Sequence, residues 1–238
     1  MNCKFMSRAF TCLIAFGGLL ASALAQESGS PALSVQQIVA QMVSRNRERA
    51  RALKSYTGMR HYHLVYTGFP GKREAEILVS TRVDAPDGKE FTVVSQTGSG
   101  FVVNKVLKRL LESEKEANTA EQRARTALNE QNYEFQLLGQ EDIGQRPAYV
   151  LAVIPKIDNK FLYRGKIWVD ASDFAVVKIE AEPAKRPSFW ISKTKVNHVY
   201  AKVGDFWLPA ENQSTTDVRL GGVATLTIVY SDYQVNRD

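Results

Sequence analysis

The chain has 238 residues, of which 44% are hydrophobic and 24% are charged, and its formal net charge is +6 at pH 7. This length can bury a substantial core, and the positive charge is too mild for the strongly basic surface of a nucleic-acid-binding protein. We therefore expect a globular protein that binds no nucleic acid.

The first 25 residues are typical of an export signal. Lys4 and Arg8 precede an apolar stretch from 9 to 24, and a small-x-small cleavage site ends at Ala25. The stretch is short for a membrane span and polar residues follow it at once, so we predict cleavage after Ala25. In a bacterium with two membranes, the expected location is the periplasm.

The exported chain is expected to contain no cysteine, because both cysteines of the sequence, Cys3 and Cys12, lie within the signal. A disulfide, a thiol nucleophile and a cysteine-bound metal are therefore not expected. Neither cysteine lies in a lipidation box, so we expect a soluble protein. Its core alone must hold it folded.

A helix is predicted from 34 to 54, after a short linker from 26 to 33. Ser34 and Gln37 have the spacing of a capping box. Apolar residues then recur at helical spacing and form one face: Val35, Ile38, Val39, Met42, Val43, Ala50 and Leu53. The opposite face carries four arginines: Arg45, Arg47, Arg49 and Arg51. Two interpretations of these arginines stay open, namely a solvated face or contact with anionic lipid head groups, to which each basic group contributes ~1 kcal/mol.

Three strands and a helical insertion follow the first helix. The strand patterns run from 56 to 67, 73 to 83 and 91 to 96, and turns containing glycine and proline join them as antiparallel hairpins. The insertion is predicted from 104 to 131. Its second half carries alanines in place of bulky apolar residues, so it buries little area and is held weakly. We expect a break near Asn118, and the insertion is interpreted either as a surface helix or as a movable lid.

The rest of the chain has strand patterns separated by turn residues. These patterns run from 135 to 140, 148 to 154, 166 to 170, 174 to 180, 191 to 203, 206 to 214, 218 to 220 and 223 to 235. A single domain from 34 to 238 with this order of elements can bury one face of its sheet only by curling. We therefore predict an α+β fold, a strongly curved antiparallel half-open β-barrel with helices covering the concave side.

No residue set in the sequence predicts catalysis. The sequence contains no phosphate loop, dinucleotide fingerprint or zinc-protease motif, and Gly98-Ser99-Gly100 differs from the nucleophile elbow. Asp170 and Asp173 flank a hairpin turn, where aspartate commonly accepts backbone hydrogen bonds. A carboxylate pair that is distant in sequence can still meet in the fold. We expect no enzyme activity and no cofactor.

The sequence has three histidines, His61, His63 and His198. His61 and His63 share one face of a predicted strand and could together bind a metal. No acidic residue with ligand spacing lies beside them in the sequence. We therefore predict no metal site and expect exposed or hydrogen-bonded histidines.

Aromatic residues are the strongest candidates for ligand binding. Trp168 lies between charged residues on one face of a predicted strand. In the loop after 183, aromatic and basic side chains stand together, which suits a membrane interface or an amphipathic ligand, or else a plug at the barrel end. The candidate lipid-binding residues are Trp168, Phe189, Trp190, Phe206 and Trp207. Candidates for peripheral membrane contact, besides the four arginines of the helix, are Lys185 and Arg186.

Four sequence blocks carry a resemblance to a known superfamily. They read GKIWVD, DFAVVKIE, GDFWLPAENQ and LTIVYSDYQ. With the export signal, the helix-first order and the helical insertion, they resemble the bacterial superfamily of periplasmic lipoprotein carriers and sensors, often named outer membrane lipoprotein-sorting proteins. The blocks after 132 are particularly similar to an uncharacterised exported group within it. The resemblance implies a curved half-barrel with an apolar cavity for the acyl chains of lipids or lipoproteins.

Three functions are compatible with these patterns. The leading hypothesis is a periplasmic binding protein that shelters acyl chains of lipids or lipoproteins for transfer towards the outer membrane. The second is a cell-envelope sensor or scaffold that binds another protein through its sheet, and the third is a hydrolase with dispersed carboxylates and a histidine. An acyl chain gains ~0.8 kcal/mol per buried methylene group. An apolar trough can therefore hold a lipid without a catalytic group or a metal.

Overall fold

The computed structural model describes most of the chain after the predicted export signal and linker. The described residues are 33–85, 88–117, 119–185, 191–219 and 221–236. They lie in one unit, Leu33–Asp238. The signal, its cleavage site and three candidate contact residues of the loop after 183 lie outside the described residues: Arg186, Phe189 and Trp190.

The first helix, α1, spans Val35–Ala52 and begins as its sequence predicts. The Ser34 hydroxyl accepts the backbone N–H of Gln37 at 3.2 Å, and the Gln37 side chain accepts the backbone N–H of Ser34 at 2.8 Å. This capping box satisfies two amide groups that the helix itself leaves free. The helix buries one face through three side chains, each at most 2% exposed: Ile38, Val39 and Met42.

Two hairpins and a set of short helices follow α1. The strands are β1 (Ser55–Gly68), β2 (Arg73–Asp84) and β3 (Gly88–Gly98). The insertion consists of α2 (Gly100–Val102), a π-helical turn (Val103–Leu107), α3 (Lys108–Ala117) and α4 (Ala120–Thr126). Thr119 caps α4, so the helix breaks where the sequence predicts. Among the described residues, no helix combines the length and the apolar character needed to cross a bilayer.

Seven further strands complete the described chain: β4 (Tyr133–Ile143), β5 (Arg146–Pro155), β6 (Tyr163–Asp170), β7 (Val176–Pro183), β8 (Ile191–Val203), β9 (Phe206–Val218) and β10 (Gly222–Asn236). The prediction of a separate strand from 218 to 220 is wrong. Thr215, Thr216 and Asp217 pair with β8 on one side and β10 on the other, so β9 continues without a break.

The ten strands of the described residues form one antiparallel sheet in the order β3-β2-β1-β10-β9-β8-β7-β6-β5-β4. The sheet is curved and open, with β3 and β4 at its edges, and the helices cover its concave side. The predicted fold class is therefore confirmed. Below, the inner face is the face that the helices cover and the outer face is the opposite one.

Two apolar cores lie on the inner face. In the α1 core, the helix packs on strands β4 to β7, whose buried side chains are Tyr133, Leu151, Val153, Ile167, Val169, Ile179 and Ala181. In the insertion core, the π-helical turn and α3 pack on β1, β2 and β10, chiefly through Leu107, Leu111, Tyr62, Leu64, Ile77, Val79 and Ile228. The two helical groups thus cover opposite halves of the sheet, with β8 and β9 between them.

An ion network joins α3 to the sheet. The Arg60 guanidinium on β1, 5% exposed, contacts both oxygens of Glu114 at 2.8 Å, and Lys89 on β3 also pairs with Glu114. Arg60 lies between two aromatic rings, Phe91 at 5.0 Å and Tyr230 at 5.1 Å. Burial raises the pKa of Glu114, but the two cations outweigh it and hold that pKa below its ordinary value. Glu114 therefore stays ionised and fixes α3 to the sheet.

Candidate functional site

A cavity of about 380 Å³ lies between the C-terminal half of α1 and the inner face of β7 to β9. Most of its lining side chains are apolar: Ala50, Leu53, Leu128, Ala175, Val176, Ile179, Phe206 and Leu208. The N-terminal half of α1 contributes the buried side chains that fix the helix to the sheet, whereas its C-terminal half forms one wall of the cavity. The arrangement can receive an apolar ligand without displacing the helix.

Two tyrosines, Tyr163 and Tyr200, also line the cavity. Burial raises the pKa of Tyr200 to about 12 and the pKa of Tyr163 well above its ordinary value. Both phenols are therefore neutral hydrogen-bond donors at physiological pH. Together with Asn46 and Arg49, they add polar groups to a mostly apolar lining.

Arg49 stands at the edge of the cavity. Its guanidinium donates to the backbone carbonyls of Asp173 at 2.9 Å and Phe174 at 3.3 Å, and to the side chain of Asn46 at 2.6 Å. Burial lowers the pKa of Arg49, and the nearby carboxylate of Asp173 acts in the opposite direction. These bonds tie α1 to the turn between β6 and β7.

The expectation that four arginines share one exposed face of α1 is wrong for Arg49, which is half-buried because it faces this turn. Arg45, Arg47 and Arg51 are exposed, and Arg45 pairs with Glu48 at 3.1 Å. Contact of these arginines with a membrane stays a prediction.

The structure separates the candidate aromatic residues. Phe206, 4% exposed, lines the cavity, and Trp207 borders it. Trp168 lies on the outer face, 3% exposed, where its indole N–H donates to Glu141 at 2.8 Å and the Lys178 ammonium lies 4.5 Å from the ring centre. Trp168 therefore does not line the cavity. The periodicity of β6 alone did not show which of its faces the helices would cover.

The turn role predicted for Asp170 is confirmed. Its carboxylate, 1% exposed, accepts the backbone N–H groups of Ser172 at 2.9 Å and Asp173 at 3.0 Å, and it pairs with Arg146. Burial raises the pKa of Asp170, but the combined effect of Arg146 and the two N–H donors lowers it by more. The pKa of Asp170 therefore lies below its ordinary value. The carboxylate is ionised and occupied by structural bonds.

The expectation that His61 and His63 are exposed or hydrogen-bonded is confirmed, and the acidic residues that accompany them come from the neighbouring strand. Glu74 and Glu76 of β2 lie beside them on the outer face: His63 Nε2 is 2.8 Å from Glu74 and His61 Nε2 is 3.2 Å from Glu76. The glutamates belong to the partner strand of a hairpin, so the contacts depend on the register between strands. The alternation of histidine in β1 and glutamate in β2 was the available signal.

The sequence of residues 124–234 matches a family model described as a family of unknown function, DUF5686. No curated protein matches the chain. The family match covers the strands from β4 onward and the end of the insertion. It is consistent with the sequence resemblance to an uncharacterised group.

Three solved structures illustrate what the chain is similar to. The first is a putative outer membrane lipoprotein-sorting protein domain from Vibrio parahaemolyticus, at 11% identity and a TM-score of 0.41, covering 82% of this chain and 91% of that one. The second is a DUF1329 family protein from Desulfovibrio piger, at 12% identity and a TM-score of 0.42, covering 85% and 93%. The third is a LolA superfamily protein from Nitrosomonas europaea, at 14% identity and a TM-score of 0.36, covering 86% and 94%.

Proposed function

We propose that the protein binds an acyl chain of a lipid or lipoprotein in the cavity between α1 and the sheet. The observation that carries this proposal is the apolar lining of a space of about 380 Å³ beneath a helix. That volume lies within the range of about 300–1,000 Å³ that is usual for small-molecule sites. Each methylene group buried there contributes ~0.8 kcal/mol, so ~10 groups contribute at most ~8 kcal/mol before ordering costs.

The polar groups of the cavity suit the polar end of such a ligand. The neutral phenols of Tyr163 and Tyr200 can donate hydrogen bonds to an ester or amide carbonyl. Arg49 is held at the edge by its bonds to two backbone carbonyls and keeps its positive charge near the opening. An acyl tail would contact the apolar side chains of the cavity, and a carbonyl or anionic group at the edge would contact the tyrosine hydroxyls and Arg49.

The proposed role in the cell is carriage between membranes. An exported carrier of acyl chains would operate in the periplasm and deliver its ligand towards the outer membrane. Arg45, Arg47 and Arg51 lie exposed on the helix that walls the cavity. These side chains would bring the opening to an anionic lipid surface.

A pair of matched substitutions in α1 tests the cavity. Ala40 and Ala50 are both exposed alanines of this helix, and only Ala50 lines the cavity. Ala50→Phe is expected to place a ring in the cavity and weaken binding of a long-chain fluorescent fatty acid at least about tenfold, or ~1.4 kcal/mol. Ala40→Phe is expected to leave the affinity unchanged.

The measurement is fluorescence titration of the chain from Gln26 onward, accompanied by mass spectrometry of ligands that copurify from the native envelope. A stoichiometric acyl ligand in the native protein supports carriage. Absence of fatty-acid binding, or equal affinity in the Ala50→Phe and Ala40→Phe variants, contradicts it. A ligand-free protein that captures an envelope protein would favour the sensor or scaffold hypothesis.

A further inference from the structure

Four titratable side chains form a cluster on the outer face, on the side of the sheet opposite to the helices. His61 and His63 belong to β1, and Glu74 and Glu76 belong to β2. The register places His63 directly opposite Glu76, and Glu74 is its diagonal neighbour. Both separations are within the reach of long side chains on one face of an antiparallel pair.

Three of these side chains present ligand atoms to a common point. His63 Nε2 lies 2.8 Å from Glu74 Oε1 and 3.8 Å from Glu76 Oε1, and the three candidate ligand atoms all lie within 4.8 Å of one another. Ligands bound to one zinc ion at about 2.0–2.2 Å in tetrahedral geometry lie on the order of 3.3–3.6 Å apart. Small rotations of the side chains therefore suffice to enclose an ion.

The second oxygen of each carboxylate is already held. Glu76 Oε2 lies 3.2 Å from His61 Nε2, and Glu74 Oε2 lies 2.8 Å from the Lys72 ammonium. Each glutamate therefore turns its Oε1 atom towards His63. Outer partners of this kind orient the ligands of a metal site and tune its affinity. This arrangement distinguishes the cluster from glutamates scattered on a surface.

The cluster is open to solvent and adjoins a hollow. Its four side chains are between 36% and 47% exposed. A hollow of about 390 Å³ beside it is lined by His61, Glu76, Leu78, Ser95 and Thr97. It lies where the pairing of β2 with β3 shifts register after Leu78. An ion can enter directly, and space remains for a further ligand.

We propose that the outer face of β1 and β2 binds Zn²⁺ through His63, Glu74 and Glu76, with His61 as a positioning residue for Glu76. One imidazole and two carboxylates suit zinc, whereas calcium and magnesium prefer sites made of oxygen alone. The two carboxylates balance the charge of a divalent ion. The ion joins β1 to β2 and keeps an open coordination position towards the hollow.

Calorimetric titration with zinc chloride tests this site. The protein is the full chain carrying Cys3→Ser and Cys12→Ser, without an added histidine tag, so that neither thiols nor tag bind the metal. One zinc ion per chain is expected. His63→Ala is expected to weaken the affinity more than ~100-fold, and His61→Ala by about 10–100-fold, as for an outer partner.

His198→Gln is the matched control, because His198 is the third histidine of the chain and lies on the inner face. Its zinc affinity is expected to equal that of the parent chain. Thermal unfolding with and without zinc provides a second readout: zinc is expected to raise the Tm of the parent and of the control, but not that of His63→Ala.

Three results would overturn the proposal: no zinc binding by the parent, equal affinity in His63→Ala, or an equal loss in His198→Gln. An unchanged affinity in His61→Ala would overturn the positioning role. Because the side chains of His61 and His63 are exposed, unchanged melting of the metal-free His61→Ala and His63→Ala variants is expected and separates loss of zinc from loss of fold.

Discussion

Asp173 is the residue that connects the elements around the cavity. Its backbone carbonyl accepts Arg49 of α1, and its carboxylate accepts the Trp207 indole N–H at 2.9 Å and the Lys202 ammonium at 2.9 Å. One turn residue thus joins α1 to β8 and β9. The wall and the floor of the cavity are held by polar bonds around its edge, while most of its lining stays apolar.

We predict that His198 makes the protein less stable in mild acid. Burial lowers its pKa below the ordinary value of 6.5, and the carboxylate of Glu114 acts in the opposite direction. The unfolded chain then binds the proton at a higher pH than the folded protein does. Stability is therefore full above about pH 6.5 and decreases as the pH falls from there towards the folded pKa.

Urea unfolding at about pH 7.5 and about pH 5.5 measures this effect in the wild type and in His198→Gln. The wild type is expected to lose more stability between the two pH values than the variant, because only the wild type must bury a group that becomes protonated. Equal losses in both proteins would show that His198 does not contribute. The contribution of the other titratable groups to the pH dependence is common to both proteins and drops out of the comparison.

At the scale of single residues, hydrogen bonds between residues close in sequence were predictable, whereas contacts between residues on different elements were not. Ser34 with Gln37 and Asp170 in its turn act over three residues or fewer, so spacing alone defines their bonds. The contact between His63 and Glu74 spans a hairpin and requires the strand register. Likewise, the face on which Trp168 lies depends on where the helices pack.

The strength with which the helical insertion is attached to the sheet determines whether it acts as a fixed cover or as a movable lid. Among the insertion residues whose burial the structure describes, the buried ones, including Leu107 and Leu111, lie before the middle of α3. Beyond them, Glu114 provides the ion network with Arg60 and Lys89. The network therefore holds the part of α3 that apolar packing does not.

We predict that Glu114→Gln loosens the insertion. Arg60 would be left buried without its charged partner, and breaking a buried pair costs about 3–5 kcal/mol. Because a third of the Glu114 side chain is exposed, a smaller loss of about 2–3 kcal/mol is expected. Glu112→Gln, on the exposed side of the same helix, is expected to change stability by less than about 0.5 kcal/mol.

Chemical unfolding measures the loss of stability, and hydrogen exchange locates it. Faster exchange confined to the insertion in Glu114→Gln would identify the network as its attachment. If exchange in the insertion is as fast in the wild type as in the variant, the insertion already opens freely and the lid interpretation is favoured. Equal stability of Glu114→Gln and Glu112→Gln would contradict the role of the network.

Most elements of the fold could be predicted because each has a local signal. The alternation of residues and the turn sequences define the strands, and the cap at Thr119 marks the break in the insertion. The length of β9 was underestimated because its polar end, which includes Thr215, Thr216 and Asp217, resembles a turn. Pairing on both sides keeps this segment extended.

The whole sheet carries a polar strip between its two cores. The pairing sets Ile228, Asn212, His198 and Ile179 in one row across the inner face, and its two ends belong to different cores. The side-chain oxygen of Asn212 is buried and has no hydrogen-bond partner within the described part of the chain. Burying such a group costs about 1–3 kcal/mol. The open sheet thus consists of two packed halves with a polar strip between them, and the proposed cavity lies on the α1 side.

The placement of the cavity beside an arginine-bearing helix leads to a prediction about membranes. Arg45, Arg47 and Arg51 are exposed on α1, and each basic group near an anionic lipid surface contributes ~1 kcal/mol. Replacing all three by glutamine is therefore expected to lower partitioning onto phosphatidylserine-containing vesicles by about 3 kcal/mol, or on the order of 100-fold.

The matched control removes the same charge from the outer face through Lys166→Gln, Lys193→Gln and Lys195→Gln. If the protein approaches a membrane with α1 foremost, this control is expected to retain most of its binding, because charges beyond a Debye length of about 8 Å from the surface are screened. Vesicle co-sedimentation of the chain from Gln26 onward, at low and physiological salt, measures both variants. Equal losses in the two variants would indicate attraction by net charge alone, and no loss in the arginine variant would place the membrane contact elsewhere. A loss specific to the arginine variant would show that α1, and with it the cavity opening, faces the lipid surface.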